Sequence, residues 1–429
     1  MNKPTPRTLG LGLIVLAAGG CYALTMGARM SMGLFLGALN THTGLGLASI
    51  SLAFAFGQLW WGLTQPFAGM VADRVGAGRV IVCGVLMVAL GTALIPHMSS
   101  TAGLIFAIGV LAAGGAGMAG PSVLMAATTR LISPARRGMA SGIVNAGGSF
   151  GQFVFAPLLQ GVTAAAGWIT SLHALAAITL LALPAAWLLR GNGRHLSAPA
   201  PGQVAVESTR QAVSRALADR SFRLLCAGFF VCGFHVAFLA THLPGVVASC
   251  QLSPTVGAWA LGMVGLFNIV GSIGMGWLMS CRGGRWRMKT LLTGVYAARA
   301  VAVLVFVLLP KTEAVMLVFA AVMGLTYLST VPPTVGLVAR FFGPSHLATL
   351  FGLAILVHQI GGFLGAYLGG KAFERTGSYD WMWYADIVLA VGAALVNLPI
   401  REAASATLDA ATEVNPFPQV KGGALTPLS

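Results

Sequence analysis

The residues able to do chemistry in this chain are few, and they stand alone in apolar surroundings. Arg29 and Arg299 each interrupt a long apolar run. A guanidinium in such a place stays charged and offers a planar fork that matches a carboxylate. His235 and His242 are seven apart and share one helical face, and His358 sits in a later apolar run. Histidine exchanges a proton near neutral pH. Asn145, Gln152, Tyr327 and Gln359 are neutral polar groups placed in the same way. These types suit the holding of an anion and the carrying of a proton. They suit interhelical hydrogen bonding equally, at roughly 0.6 kcal/mol each.

Other chemistries are excluded by context. Gly115-x-Gly117-x-x-Gly120 matches a dinucleotide fingerprint, but no strand precedes it and no acid follows about 20 residues on. Gly147-x-Ser149-x-Gly151 matches a nucleophile elbow but lies inside a helical run. The six cysteines form no CxxC pair and read as small apolar packing residues. No metal, no cofactor and no enzyme activity is expected, and ATP-driven transport would need a separate subunit.

The elements that position these groups are membrane helices. Charged residues make up 8% of the 429 and hydrophobic ones 57%, with a mean hydropathy of +0.84. A soluble domain has about 25% charged residues. Spans of about 20 apolar residues fall at 9–38, 47–71, 80–97, 101–131, 138–165, 168–189, 222–248, 254–280, 288–309, 314–340, 348–371 and 381–400. The barrel signature of alternating polarity is absent. The fold expected is an all-α membrane protein, with twelve transmembrane helices in two pseudo-symmetric six-helix bundles.

Placement of charge explains the net +15. Twenty of the 25 Lys and Arg lie on one side, three (Lys311, Lys371 and Arg375) on the other, and Arg29 and Arg299 within spans. These are topology charges that put both termini in the cytoplasm, not a nucleic-acid patch. Lys3 and Arg7 precede an apolar run too long for a signal peptide, so a retained first helix is expected.

A polar stretch divides the chain into an N-terminal bundle at 1–190, a linker at 191–221, a C-terminal bundle at 222–401 and a tail at 402–429. The halves echo each other. Gly147-Gly148-Ser-Phe-Gly151 matches Gly361-Gly362-Phe-Leu-Gly365, which sets Asn145 opposite Gln359. Duplicated six-helix halves mark transporters that rock about a central site. Clustered glycines are expected where the halves slide.

Gly69-x-x-x-Asp73-Arg74-x-Gly76, between spans 2 and 3, resembles the signature loop of the major facilitator superfamily. The family's two basic residues after the last glycine are Ala77 and Gly78 here, and the second-half copy has Ser280 in place of the acid. By that resemblance Gly69, Asp73, Arg74 and Gly76 gate the cytoplasmic side. Gly27-Ala-Arg29-Met-Ser-Met-Gly33, Gly62-Leu-Thr-Gln65-Pro66, Cys232-Gly-Phe-His235, Thr241-His242-Leu-Pro244 and His358-Gln359 are similar to the bacterial monocarboxylate-transporter-like branch, which includes oxalate:formate antiporter relatives. The intramembrane Arg of span 8 in that branch is missing, and Asn268 and Ser272 are the polar residues there.

The resemblance implies a monomeric secondary transporter in a bacterial inner membrane, carrying a small organic anion. The residues set the substrate against Arg29, with Asn145, Gln152, His235, Tyr327, His358 and Gln359 as further binding candidates. Asp386 is placed near the outer end of span 12, as a partner for a structural Arg299. No carboxylate is expected at mid-membrane, so His235, His358 or the substrate would carry any coupled proton. The competing expectation is proton-driven efflux of lipophilic compounds. The buried acids and the Gly-Pro motif of such antiporters are absent.

Overall fold

In a computed structural model the described residues are 11–131, 137–189, 208–280, 286–343 and 346–402. The extreme N-terminus, most of the expected linker, the tail from 403 and the side chain of Asp73 lie outside them. The spans are α1 (Gly12–Thr43), α2 (Leu47–Val75), α3 (Ala77–His97), α4 (Thr101–Thr128), α5 (Arg137–Ala166), α6 (Trp168–Leu188), α7 (Arg220–Ser249), α8 (Pro254–Ser280), α9 (Met288–Leu308), α10 (Glu313–Phe342), α11 (Leu347–Thr376) and α12 (Asp380–Asn397). Ten are long and apolar enough to cross a membrane; α5 and α12 complete the twelve. The 18 residues of α12 rise about 27 Å, close to the hydrocarbon thickness. Between α2 and α3 the connection is Gly76 alone, at φ +94°, a conformation that glycine adopts without strain. Arg74 beside it is exposed.

Packing repeats across the halves. The pair α1–α5 corresponds to α7–α11, α2–α4 to α8–α10, and α3–α6 to α9–α12. The halves meet through α2–α11 and its counterpart α8–α5, with α7 also touching the middle of α1.

The matched glycine motifs lie inside each half, which corrects the expectation that they line the sliding surface. A methyl group on Gly151 would come within 2.7 Å of the Ala23 carbonyl carbon, and one on Gly147 within 2.9 Å of that of Gly19. In the second half, Gly361 and Gly365 stand equally close to Phe230 and Phe234 of α7. Backbone contact of this kind is how membrane helices associate when no water is expelled. Replacing Gly151 by Val should therefore break the α1–α5 seam at a cost of about 3 kcal/mol. We expect loss of monodisperse protein in thermal-shift and size-exclusion measurements. Gly142→Val, at a position with no neighbouring atom within 4 Å, should behave as wild type.

Two equivalent spans are broken. In α4 the helix stops at Met118 and restarts at Pro121; in α10 it stops at Thr326 and restarts at Val331, before Pro332 and Pro333. The missing proline N–H groups make both restarts cheap. The freed groups find side chains. Thr25 donates to the Ala119 carbonyl at 3.4 Å, and the Leu328 N–H donates to Asn268 Oδ1 at 3.0 Å.

The α2–α11 seam closes on one face only. A methyl on Gly370 would lie 2.6 Å from Ser51 Cβ, and one on Gly62 would lie 2.5 Å from Gln359 Cγ. Two turns further along the same register, Gly69 and Gly352 have no neighbour within 4 Å. On the closed face, Gly33 of α1 abuts Ala240 and Thr241 of α7. The halves thus touch on the face opposite the termini and part toward the termini.

Candidate substrate-binding site

Arg29 is half-buried midway along α1. Its Nη2 donates to Gln58 Oε1 of α2, and its guanidinium lies 4.6 Å from the centroid of the Trp61 ring. Gln58 and Trp61 are three residues apart, so one face of α2 carries both. Its other polar contacts are the Met26 and Met30 sulfurs at 4.0 Å. Among the described residues no carboxylate pairs with it. Trp61 Nε1, a buried donor, has no hydrogen-bond partner among the described residues. Arg29 also borders a cavity of about 30 Å³ shared with Thr92 of α3. The site therefore offers a positive charge and an open N–H donor on an apolar bed, which fits an anion. Cation–π contact with Trp61 holds the guanidinium without neutralising it.

Gln359 stands against Gly62 of α2 across the seam and is buried. Tyr327, at the break in α10, is within Coulombic reach of Arg29, and its hydroxyl donates to the Val236 carbonyl at 2.9 Å. Gln152 is buried in the α5–α8 seam, donating to the Leu261 carbonyl at 3.4 Å. Asn145 is exposed, about two turns nearer the termini on the same face of α5.

The two histidines expected at the site are inside the second half instead. His358 is 8% exposed and packs 4.7 Å from the Phe229 ring. His235, 1% exposed, has its Nε2 3.3 Å from Asp386 Oδ1. This corrects the expectation that no carboxylate reaches mid-membrane. Asp386 is six residues into α12, about 9 Å along its axis, yet it meets the midpoint of α7 because α12 has 18 residues and α7 has 30. His242 is structural, with Nε2 2.7 Å from the Ala366 carbonyl oxygen.

Arg299 is 1% exposed. It donates through Nη2 to the Thr326 and Tyr327 carbonyls, the latter at 2.7 Å, and lies 3.6 Å from Cys232 Sγ. A cation at a helix C-terminus satisfies orphan carbonyls and opposes the negative end of the dipole. The hydrogen bonds of Arg299 thus go to the α10 break rather than to Asp386.

Three polar contacts were not singled out from sequence; two join the halves, and the third ties α1 to α2 within the first half. Asn268 donates to Ser149 Oγ at 2.8 Å while accepting from Leu328. Glu374 of α11 accepts from the Ala48 N–H at 2.8 Å, capping α2 from the other half. Gly46, at φ +84°, leaves room for it, since a methyl there would lie 2.9 Å from Glu374 Oε1. The third is Gln58. Spacing identifies none of these, because each depends on which helices become neighbours.

The Glu374 cap suggests a direct check. Losing it should cost the closed face about 1 kcal/mol, or about fivefold in the closed-to-open ratio. Hydrogen–deuterium exchange on Glu374→Ala should speed up in peptides covering residues 44–52 and stay unchanged around Gly142.

A larger groove of about 600 Å³ lies between α9 and α10, lined by residues such as Val301, Val305, Leu309 and Val318 that face outward from the bundle. It holds no group that recognises charge.

Twelve helices in two matched halves, sealed on one face around a central cation, define a multi-pass membrane transport protein. The Major Facilitator Superfamily sequence model matches residues 18–316 and 225–427, and the chain belongs to that family. It is 23% identical to the uncharacterized MFS-type transporter YcxA of Bacillus subtilis, over 81% of this chain and 85% of that one. It is 25% identical to monocarboxylate transporter 13 of Rattus norvegicus, over 93% and 91%. With the oxalate:formate antiporter of Oxalobacter formigenes it shares 25% identity over 63% of each. Among solved structures, a bacterial homolog to the human lysosomal transporter Spinster, inward-facing and unoccupied, superposes with a TM-score of 0.73 at 16% identity, covering 92% of this chain and 97% of that one.

Proposed function

We propose that this chain is a secondary active transporter for a small organic anion, a monocarboxylate in the first instance. It works by alternating access, with both termini in the cytoplasm of a bacterium and the structure open to that side. The observation that carries this reading is Arg29: a guanidinium half-buried at mid-span, bedded on Trp61, held by neutral Gln58 and unpaired with any described carboxylate. Ionisable groups in this position are functional by default, because they are costly to keep. Arg29 anchors the carboxylate, Trp61 Nε1 donates to it, and Gln359 and Tyr327 approach from the second half. Gln152 and Asn145 line the path between halves. Asp73, Arg74, Gly69 and Gly76 gate the cytoplasmic side. The monocarboxylate and oxalate:formate transporters among its relatives support the anionic class. The test is proteoliposome uptake of lactate, pyruvate, oxalate and larger aromatic acids, with and without a pH gradient. Saturable uptake of at least one anion is expected. Saturable uptake of a cationic drug, with no response to any anion, would overturn the reading in favour of lipophile efflux.

A further inference from the structure

Asp386 is the one fully buried carboxyl among the described residues, and neither of its oxygens takes part in a hydrogen bond. His235 is its nearest ionisable neighbour, with Nε2 3.3 Å from Oδ1 and the ring also near the Asp386 backbone, but neither imidazole nitrogen makes a well-aligned hydrogen bond. Arg299 is close enough to act electrostatically on both, yet its Nε and Nη1 make no hydrogen bond either. A fully satisfied structural network would not leave so many polar atoms open, since each costs free energy when buried. We propose that His235 and Asp386 form a binding site for a single proton, coupled to the Arg29 site through Tyr327.

The charges support this. With Asp386 ionised, His235 neutral and Arg299 charged, the trio is neutral; one added proton, carried on the Asp386 carboxylate, takes it to +1. A second would leave an imidazolium and Arg299 as two cations with no carboxylate between them. The other titratable groups facing this interior are Cys232 and His242 from α7, Tyr296 from α9, Tyr327 from α10, His358 from α11 and Tyr379 at the start of α12; α8 contributes none. His235 and Asp386 are sealed from both faces in this state, as a proton must be while its site changes sides.

The link to the substrate is a continuous set of contacts. The Tyr327 hydroxyl holds the carbonyl of Val236, next to His235, and the Tyr327 carbonyl accepts from Arg299. Protonation changes what Arg299 faces, and so shifts the break in α10 that presents Tyr327 toward Arg29. Such a chain is a physical warrant for coupling only if both ends bias it.

This proposal rests on the anion-transport reading for its second arm alone. In the first arm, infrared pH titration of purified wild-type protein in lipid should show a protonated-carboxyl C=O band that titrates. The band should be missing in Asp386→Asn and shifted in its titration in His235→Gln. Absence of any such band in wild type between about pH 4 and pH 9, or its persistence in Asp386→Asn, overturns the proposal. Should Asp386→Asn fail to fold, the wild-type titration together with His235→Gln decides. In the second arm, proteoliposomes are loaded with whichever of lactate, pyruvate or oxalate the wild type carries. Asp386→Asn should lose pH-driven accumulation by about tenfold and keep counterflow exchange. Full pH-driven accumulation in that variant overturns the proposal. Failure of every anion in wild type, with the infrared result intact, sinks the anion reading and leaves the proton site standing.

Discussion

Arg29→Gln is expected to lower uptake efficiency for the carried anion by about 100-fold, leaving the amount of protein in the membrane unchanged. The size follows from geometry. Truncating one partner of a buried charged pair costs about 2–5 kcal/mol, and Gln keeps the polarity and most of the length while removing the charge. Arg29→Lys should recover only part of the loss, because a point charge cannot reproduce the fork or the stacking on Trp61. Liposome flux separates the two variants, and ligand-induced thermal stabilisation locates the defect in binding. Normal uptake with unchanged affinity in Arg29→Gln would remove the central charge from the mechanism.

Gly370→Leu should stop transport by a different route. The residue at 370 faces Ser51 and the Leu47 carbonyl of the other half, at 2.6 Å and 2.7 Å from where its Cβ would stand. Interfaces this close have no room for a side chain, and backbone cannot yield as a flexible tip can. The closed face should then be unable to form, while each bundle stays intact because position 370 packs between halves. Uptake should fall below detection. Hydrogen–deuterium exchange should rise around residues 33–50 and 240–250, with a thermal midpoint close to wild type. Retained uptake would show that the α2–α11 seam is not the closing surface.

The fold was legible because membrane helices are written in runs of apolar residues, and duplicated glycines mark duplicated halves. Arg29 was legible for the same reason: one charge in an apolar run is visible without neighbours. What escaped depended on neighbours. The motif at 147–151 has the spacing of a packing seam, but nothing in it says whether the partner is α1, in the same half, or a helix of the other half. His235 and Asp386 are 151 positions apart, and their meeting follows from the lengths of α7 and α12 and the packing of one on the other. Glu374 reads as a charge at a helix end until α2 is set beside it. In the run that mimics a nucleotide fingerprint, Gly115 packs on Gly84 of α3 and Gly117 on Trp61 and Thr64 of α2, while Gly120 lies against Ala116 and Gly117 at the α4 break itself.

The α2–α11 seam also has a mechanical meaning. It is shut at Ser51 and Gly370, still touching at Gly62 and Gln359, and free two turns later at Gly69 and Gly352. A rigid pair of rods in that posture is a lever, and its fulcrum lies at Gly62–Gln359. Trp61 and Arg29 sit beside that fulcrum. Cargo held there acts on the short arm, so a displacement too small to disturb its own contacts is magnified at both faces. If the cargo is the small anion we propose, leverage of this kind would let a molecule of a few atoms swing two six-helix bodies.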